Sequence, residues 1–217
     1  MINFRYIFIT LSVLVLFCCR SNYNTEELGL ENTINKMADA YLKRLFETFP
    51  GRNYNFEDFD TQRVNIYNNS IEHLERWHQF EDSLYMALNK IDLDKEIEKG
   101  TRITYWILKE ELESSIQLRV CREELWNVNH ITGIHTYLIN LIESQPVKTN
   151  KQRKDALKRW AKIPEIINTE LFNLRIGLAE GYTMPQEIVQ LVIDDLEKTL
   201  SVNEKESIFM SPSERSD

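Results

Sequence analysis

The sequence has few of the residues that interrupt a helix. Only 6 Gly and 5 Pro occur among its 217 residues, and no long stretch alternates apolar and polar residues as a half-buried strand does. Charged residues make up 28% of the chain, a share that favours long helices over a turn-rich sheet protein. The sequence therefore predicts an all-α fold, a multi-helix bundle-like domain.

Cysteine is also scarce, which limits disulfides and thiolate metal sites. Cys18 and Cys19 belong to an apolar N-terminal segment, so Cys121 is the only cysteine in the rest of the sequence. A lone thiol forms no internal disulfide and no Cys-based zinc site. Because Cys121 follows an apolar residue on a helical stretch, we expect it to be a small core residue.

Three motifs of common enzyme chemistries are absent from the sequence. It has no His-Glu-x-x-His pair for zinc, no Gly-x-Ser-x-Gly nucleophile and no glycine-rich phosphate loop. His73 and His78 are five residues apart on a predicted helix, so they point about 140° apart and share no metal. For His130 and His135, beside an irregular segment, a shared metal stays an alternative. We expect no complete catalytic site, metal or cofactor in the chain as given.

The charge balance is acidic. Asp and Glu number 34 against 26 Lys and Arg, for a net charge of −8 at pH 7, which disfavours binding to nucleic acid. The exception is a basic stretch, with seven Lys and Arg residues in positions 148–162. We interpret it as a solvated helix face paired with acids such as Asp155 and Glu165. The alternative is a docking patch for anionic headgroups or an acidic partner.

The N-terminus has the pattern of a signal peptide. Arg5 precedes an apolar run at positions 6–17, which is shorter than the roughly 20 residues that a membrane-spanning helix needs. We expect residues 1–18 to be cleaved and residues 19–29 to form a polar tether.

The end of this segment, Leu16-Phe17-Cys18-Cys19, resembles the lipobox of bacterial lipoproteins. Cys19 is then the lipidated residue, with Cys18 as the second candidate because Phe17 and Cys18 depart from the usual motif. A plain secretory signal is the alternative. Acyl chains on the cysteine would hold the protein to a membrane of the bacterial cell envelope, on its periplasmic or cell-surface side.

Apolar residues recur at helical spacing over residues 30–200, which predicts one helical domain, and residues 201–217 form a polar tail. We predict helices at 30–49, 61–89, 94–124, 134–143, 150–180 and 185–200, with Thr149 as an N-cap, Pro164 splitting the fifth and Gly181 capping its end. In the third helix we expect the following side chains to face the core: Ile97, Ile103, Trp106, Ile107, Leu112, Ile116, Leu118 and Val120. In the last helix the expected buried stripe is Ile188, Leu191, Val192 and Leu196.

Four stretches together resemble the bacterial family known as domain of unknown function 885. They are residues 124–133, 138–146, 160–164 and 177–185, within a similarity that runs from about Ala40 to the C-terminus. Asn129, Gly133 and Gln145 match the family pattern. His130 departs from it, because the family often has an Asn-Gln pair before the glycine.

The resemblance implies a helical protein similar in plan to zinc peptidases of the thermolysin-like clan, in which a His-Glu-x-x-His helix lies in the C-terminal half. Members are commonly lipoproteins and much longer than this chain. We therefore expect the N-terminal portion of such a protein, inactive on its own, with zinc held only by the missing half.

Two alternatives stay open. The chain is a self-sufficient lipid-anchored helical module that binds peptides in a cleft near Asn129, His130, Gly133 and His135, or it is half of a split peptidase completed by a second chain. A helical layer that lacks its second half exposes an apolar face. A truncated N-terminal portion, and likewise half of a split peptidase, is therefore expected to be poorly soluble, to self-associate or to pair with a C-terminal half.

Overall fold

The computed structural model describes residues 25–50, 65–93 and 97–216. Within these ranges the chain is predominantly helical and contains no strand, so the all-α prediction is confirmed. The signal peptide, the tether up to residue 24 and the lipidation candidates Cys18 and Cys19 lie outside the described residues. The helices are α1 (Thr25–Thr48), α2 (Ile71–Leu88), α3 (Lys99–Leu118), α4 (Ile134–Ser144), α5 (Asn150–Trp160), α6 (Ile163–Glu180), α7 (Gln186–Ser201) and α8 (Ser211–Glu214).

Helices α1, α2 and α3 pack against one another as a three-helix bundle. Ile34, Leu88 and Leu112, one from each helix, are fully buried at its centre. Burial of such a side chain stabilises the fold by about 1.5–3 kcal/mol. Trp77 of α2 adds aromatic contacts, with its ring centroid 5.7 Å from that of Tyr41 on α1.

A second, smaller core joins α4 and α6 to the irregular segment 65–70. Its buried members are Ile66, Leu138, Leu141 and Ile166. Helix α6 also packs against the 3-10 turn Glu123–Leu125. The approach is so close that a Cβ on Gly177 would overlap the carbonyl oxygen of Leu125, so only glycine fits there.

The residues after α7 fold back onto α4 through the 3-10 turn Ile208–Met210 and through α8. Arg215 donates hydrogen bonds to the carbonyl oxygens of Ile142, at 2.6 Å, and Gln145, at 3.0 Å. These bonds satisfy carbonyls at the end of α4, which have no partner within the helix.

Local signals set several helix ends as predicted. The Thr149 hydroxyl accepts a hydrogen bond from the Gln152 amide while the Gln152 side chain accepts one from the Thr149 amide, a complete capping box. Pro164 lies in the first turn of α6, and this proline separates α6 from α5. Gly181 ends α6 in the left-handed conformation with φ of 87°.

Several predicted helix bounds are wrong. Residues 25–29, predicted as part of the tether, already belong to α1. Residues 65–70 are not helical, and α2 begins only at Ile71, because the Ser70 hydroxyl accepts the backbone amide of His73 as an N-cap. The predicted third helix extends to residue 124, whereas α3 ends at Leu118 and is followed by two 3-10 turns. Arg122, between those turns, takes a left-handed conformation that no helix tolerates.

The predicted core face of α3 is also wrong in part. The side that packs on α1 and α2 carries Thr101, Tyr105, Leu108 and Leu112. The other apolar residues lie on the far side of the helix or beyond its end, because periodicity does not tell which of two apolar faces is covered. These residues are exposed rather than buried: Ile103, Trp106, Ile107, Leu118 and Val120.

Two further predictions of burial are wrong. Cys121 is exposed, since it lies in a 3-10 turn beyond the bundle. In α7, Val192 is buried but Leu191 and Leu196 are exposed, because few other described residues pack on this helix. Within the described ranges, no helix has the length and apolar character needed to cross a membrane.

Candidate functional site

A cleft lies where the three-helix bundle meets the smaller core. One part of it is a cavity of about 270 Å³, which we call the Glu170 pocket. A larger cavity of about 400 Å³ adjoins it and shares four of its lining residues. The Glu170 pocket is lined by Phe49, Tyr67, Asn127, Thr132, Ile134, Tyr137 and Glu170.

Helix α6 presents polar side chains to this cleft from its buried face. Ile166, Glu170, Asn173 and Gly177 recur at helical spacing and are all buried. The face that forms the smaller core thus carries a carboxylic acid at its centre, and Glu170 is only 3% exposed. Charged residues are almost never buried to this extent without a partner.

Hydrogen bonds tie Glu170 to the segment 65–70. The side-chain amide of Asn69 donates to Glu170 Oε1 at 3.2 Å and Oε2 at 3.4 Å. The Tyr67 hydroxyl donates to Asn69 Oδ1 at 2.6 Å, and the Asn173 side-chain amide donates to the Asn69 carbonyl oxygen at 2.7 Å. Asn69 is therefore held from three sides, and it orients the carboxyl group.

Burial controls the protonation of this carboxyl group. Desolvation raises the pKa of Glu170 from 4.5 to about 7, and the hydrogen bond from Asn69 offsets only part of that rise. Among the described residues, Glu170 takes part in no ion pair. A group with such a perturbed pKa in a cleft is a candidate functional residue.

Aromatic rings form another part of the pocket wall. The rings of Phe49 and Tyr67 are stacked, with centroids 5.7 Å apart and planes inclined at 29°. Tyr137 meets Tyr67 edge-on, with the ring centroids 6.2 Å apart. Burial raises the pKa of both tyrosines, and the charge of Glu170 adds to the rise for Tyr67. Both phenols are therefore neutral and act as hydrogen-bonding groups.

The loop 126–133 contributes to the cleft through neighbours of the residues predicted from sequence. Asn129 Oδ1 accepts the backbone amides of Ile131, at 2.7 Å, and Thr132, at 3.2 Å. A Cβ on Gly133 would overlap the Asn129 carbonyl oxygen, so this glycine permits the tight turn. Asn129 and Gly133 shape the loop, and Thr132 is one of the residues that line the pocket.

The two histidines of this region do not line the Glu170 pocket. His135 lines a separate cavity of about 480 Å³ between α4 and α7, together with Asp195. Burial lowers the pKa of His135, and His130 adds a smaller effect of the same sign, so the two rings are close enough to interact. No cluster of three or more His, Cys, Asp or Glu residues suited to a metal occurs in the described ranges.

A buried ion pair lies beside the cavity of about 400 Å³ that adjoins the Glu170 pocket. Glu81 of α2 is fully buried, and its Oε2 accepts a hydrogen bond from Arg119 Nη2 at 3.0 Å. Arg119 Nη1 also pairs with Asp82 at 2.7 Å. Burial raises the pKa of Glu81, while hydrogen bonds from Ser115 and Arg119 and the charge of Arg119 act in the opposite direction. This pair fixes the end of α3 against α2.

Glu170, Asn69 and Tyr67 are not among the site residues that the sequence predicts. A signal for Glu170 exists in the sequence, because it interrupts an apolar stripe at the i+4 position from Ile166. That signal has meaning only once the buried face of α6 is known. Asn69 lies in a segment that was predicted as helix, so its contact with α6 was not expected.

Comparison with known families gives one result. A family model described as bacterial protein of unknown function (DUF885) matches residues 54–217, about three quarters of the chain. The match contains every residue of the Glu170 pocket except Phe49. No curated protein matches the sequence.

Proposed function

The chain belongs to this DUF885 family of bacterial proteins, and from that premise we propose that it is the helical N-terminal portion of an envelope-anchored protein related to zinc peptidases. In this proposal the chain has no catalytic activity of its own. It supplies one wall of a substrate cleft, and a further helical segment that bears a His-Glu-x-x-His motif supplies zinc and the other wall.

The observation that carries the proposal is the two-sided character of α3. One side packs into the bundle through Tyr105 and Leu108, and the opposite side exposes Ile103, Trp106 and Ile107, each at least half exposed. A helix that is apolar on both sides is normally covered on both sides. We therefore assign the outer side of α3 to a contact with a second helical layer.

Other helices support the same assignment. Large apolar side chains are exposed along α6 and α7, next to their buried faces. Contiguous apolar patches of more than a few hundred Å² are unusual on a monomer and mark contact surfaces. The exposed residues are Ile167, Leu171, Phe172 and Leu178 on α6, and Leu191, Ile193, Leu196 and Leu200 on α7.

The envelope location rests on the N-terminal sequence. The apolar run that ends at Cys18-Cys19 is consistent with lipidation of Cys19, and two or three acyl chains suffice to hold a protein at a membrane surface. Labelling cells with a radioactive fatty acid tests this part. Label in the wild-type protein and in Cys18→Ser, with none in Cys19→Ser, supports the assignment, and unlabelled wild-type protein contradicts it.

The first test of the missing layer is to sequence the DNA downstream of the Asp217 codon. A helical continuation or a neighbouring reading frame with His-Glu-x-x-His supports the proposal, and co-expression of the two parts would then give a zinc-containing complex. Several hundred bases without such a frame, together with a monomeric chain that binds no hydrophobic dye, contradict it.

A second candidate function is a self-sufficient peptide-binding module. The Glu170 pocket favours it, because described residues from α4, α6, two connecting segments and the position after α1 form this concave site. This alternative predicts a monomer that binds peptide ligands without any second layer. Sedimentation velocity of the chain alone separates the two candidates.

A further inference from the structure

The Glu170 pocket offers a ligand one carboxyl group and little other charge. Among the described residues that line it, Glu170 is the only carboxylic acid, and none is a lysine or an arginine. Arg119 and Arg122 line the adjoining cavity, where Arg122 pairs with Glu124 at 2.7 Å and Arg119 pairs with Glu81 and Asp82. The charge of the buried Arg159 acts on Tyr137, but Arg159 is not among the described lining residues. On the described lining an anionic ligand would therefore meet a carboxylate and no cationic side chain.

The aromatic rings that line the same pocket as the Glu170 carboxyl group favour the binding of a cation. The faces of aromatic rings carry partial negative charge and attract an ammonium group within about 6 Å. Phe49, Tyr67 and Tyr137 surround the same space as Glu170, and the packing of Phe49 against Tyr67 fixes this wall. Carboxylate and ring faces together favour a positive charge at the end of an apolar chain.

The energetic cost of Glu170 points the same way. A buried carboxylate whose one hydrogen-bond donor among the described residues is Asn69 lowers the stability of the fold at neutral pH. A cationic ligand on the carboxylate would offset this cost. The partner must be small, since the pocket is about 270 Å³.

We propose that the Glu170 pocket binds a primary ammonium group on an alkyl chain, with the ammonium on the Glu170 carboxylate and the chain against the aromatic rings. A lysine side chain and the amino terminus of a peptide both carry this chemistry. The inference rests on the part of the proposed function that makes the cleft a ligand site. It does not depend on the zinc-bearing layer.

Calorimetric titration of the full chain with three small probes tests the inference, at pH 7.5, where the carboxylate and both kinds of ammonium group are largely charged. The probes are Nα-acetyl-lysine methylamide, with a side-chain ammonium, norleucine methylamide, with an α-ammonium, and Nα-acetyl-norleucine methylamide, which is neutral. We expect one or both cationic probes to bind at least about tenfold more tightly than the neutral probe. The preferred cationic probe identifies the source of the ammonium group.

Two variants connect this preference to the carboxyl group. Glu170→Gln keeps the shape of the side chain and removes its charge, so it should abolish the tenfold preference. Glu197→Gln, at an exposed position of α7 that lines none of these cavities, should leave it unchanged. Equal affinity for all three probes, no binding of any probe, or a preference that persists in Glu170→Gln overturns the inference.

A measurement on the wild-type protein covers the case in which Glu170→Gln does not fold. The carboxyl carbon of Glu170 is followed by NMR through a pH titration, with and without the cationic probe. Bound ammonium should move the titration midpoint of Glu170 to lower pH, and the neutral probe should not. An unchanged midpoint at saturating probe overturns the inference. Either result stands whether or not a zinc-bearing layer is found.

Discussion

Asn69 and Glu170, 101 residues apart in the sequence, meet through hydrogen bonds of 3.2 and 3.4 Å from the Asn69 side-chain amide to the two carboxyl oxygens. This contact joins the segment before α2 to the middle of α6. It orients the one carboxyl group that the described residues place in the Glu170 pocket. Several measurable properties of the protein follow from it and from the packing around it.

The charge of Glu170 should make stability depend on pH. Because its pKa rises from 4.5 to about 7 on folding, the folded state holds a proton between these pH values that the unfolded chain releases. The stabilisation from this proton is therefore fully present below pH 4.5 and is lost as pH rises through 7. Over that range the free energy of unfolding falls by up to about 3 kcal/mol. Urea unfolding between pH 4 and 8.5 measures this slope.

Glu170→Gln isolates that contribution. The variant should be more stable than wild type at pH 8, and its stability should vary less between pH 5 and 8, because Gln keeps an oxygen that accepts from Asn69. Glu197→Gln, an exposed control, should follow the wild-type curve. A wild-type slope that survives in Glu170→Gln would assign the pH dependence to another group.

Gly177→Ala should weaken the contact between α6 and the Glu123–Leu125 turn. Its Cβ would overlap the Leu125 carbonyl oxygen, so the helix must move away, at a cost of about 1–3 kcal/mol in unfolding free energy. Gly29→Ala is the matched control, since no atom lies within 4 Å of its Cβ position in α1, and it should stabilise by up to about 1 kcal/mol. Equal effects of the two substitutions in thermal unfolding would contradict this packing.

Arg119→Met should destabilise the bundle strongly. It leaves the fully buried Glu81 carboxylate without its cation, a loss of about 3–5 kcal/mol for a buried pair. Arg76→Met breaks the exposed pair with Glu72 and should cost less than about 1 kcal/mol.

A double variant tests whether the buried charge is the cause. Glu81→Gln in the Arg119→Met background removes the unpaired carboxylate and should restore part of the lost stability. Urea unfolding of the single and double variants gives the coupling energy. No recovery in the double variant would mean that Arg119 acts through packing alone.

Substitution of two neighbouring residues of α3 should cost very different amounts of stability. Leu108 is 4% exposed and Ile107 is 59% exposed. Leu108→Ala should therefore cost about 2–5 kcal/mol, and Ile107→Ala less than about 0.5 kcal/mol. We also expect Ile107→Gln to reduce dye binding and self-association of the isolated chain, measured by fluorescence and sedimentation. Similar stability losses at both positions would mean that the outer side of α3 is covered.

Much of this protein follows from local sequence alone. The scarcity of Gly and Pro and the helical spacing of apolar residues determined the all-α fold. Thr149, Pro164 and Gly181 determined three helix ends, because caps and proline act through the backbone within a few residues. Asn129 and Gly133, identified through a family resemblance, form the tight turn beside the cleft.

Only the tertiary structure decided which faces are covered and which distant groups meet. Ile103 and Leu108 are equally apolar in the sequence, and packing on α1 and α2 alone separates the exposed residue from the buried one. Glu170 differs from the exposed glutamates by its desolvation, which depends on the neighbours that segment 65–70 and α4 bring to it. Burial belongs to the assembled fold, and therefore so does the chemistry of the candidate site.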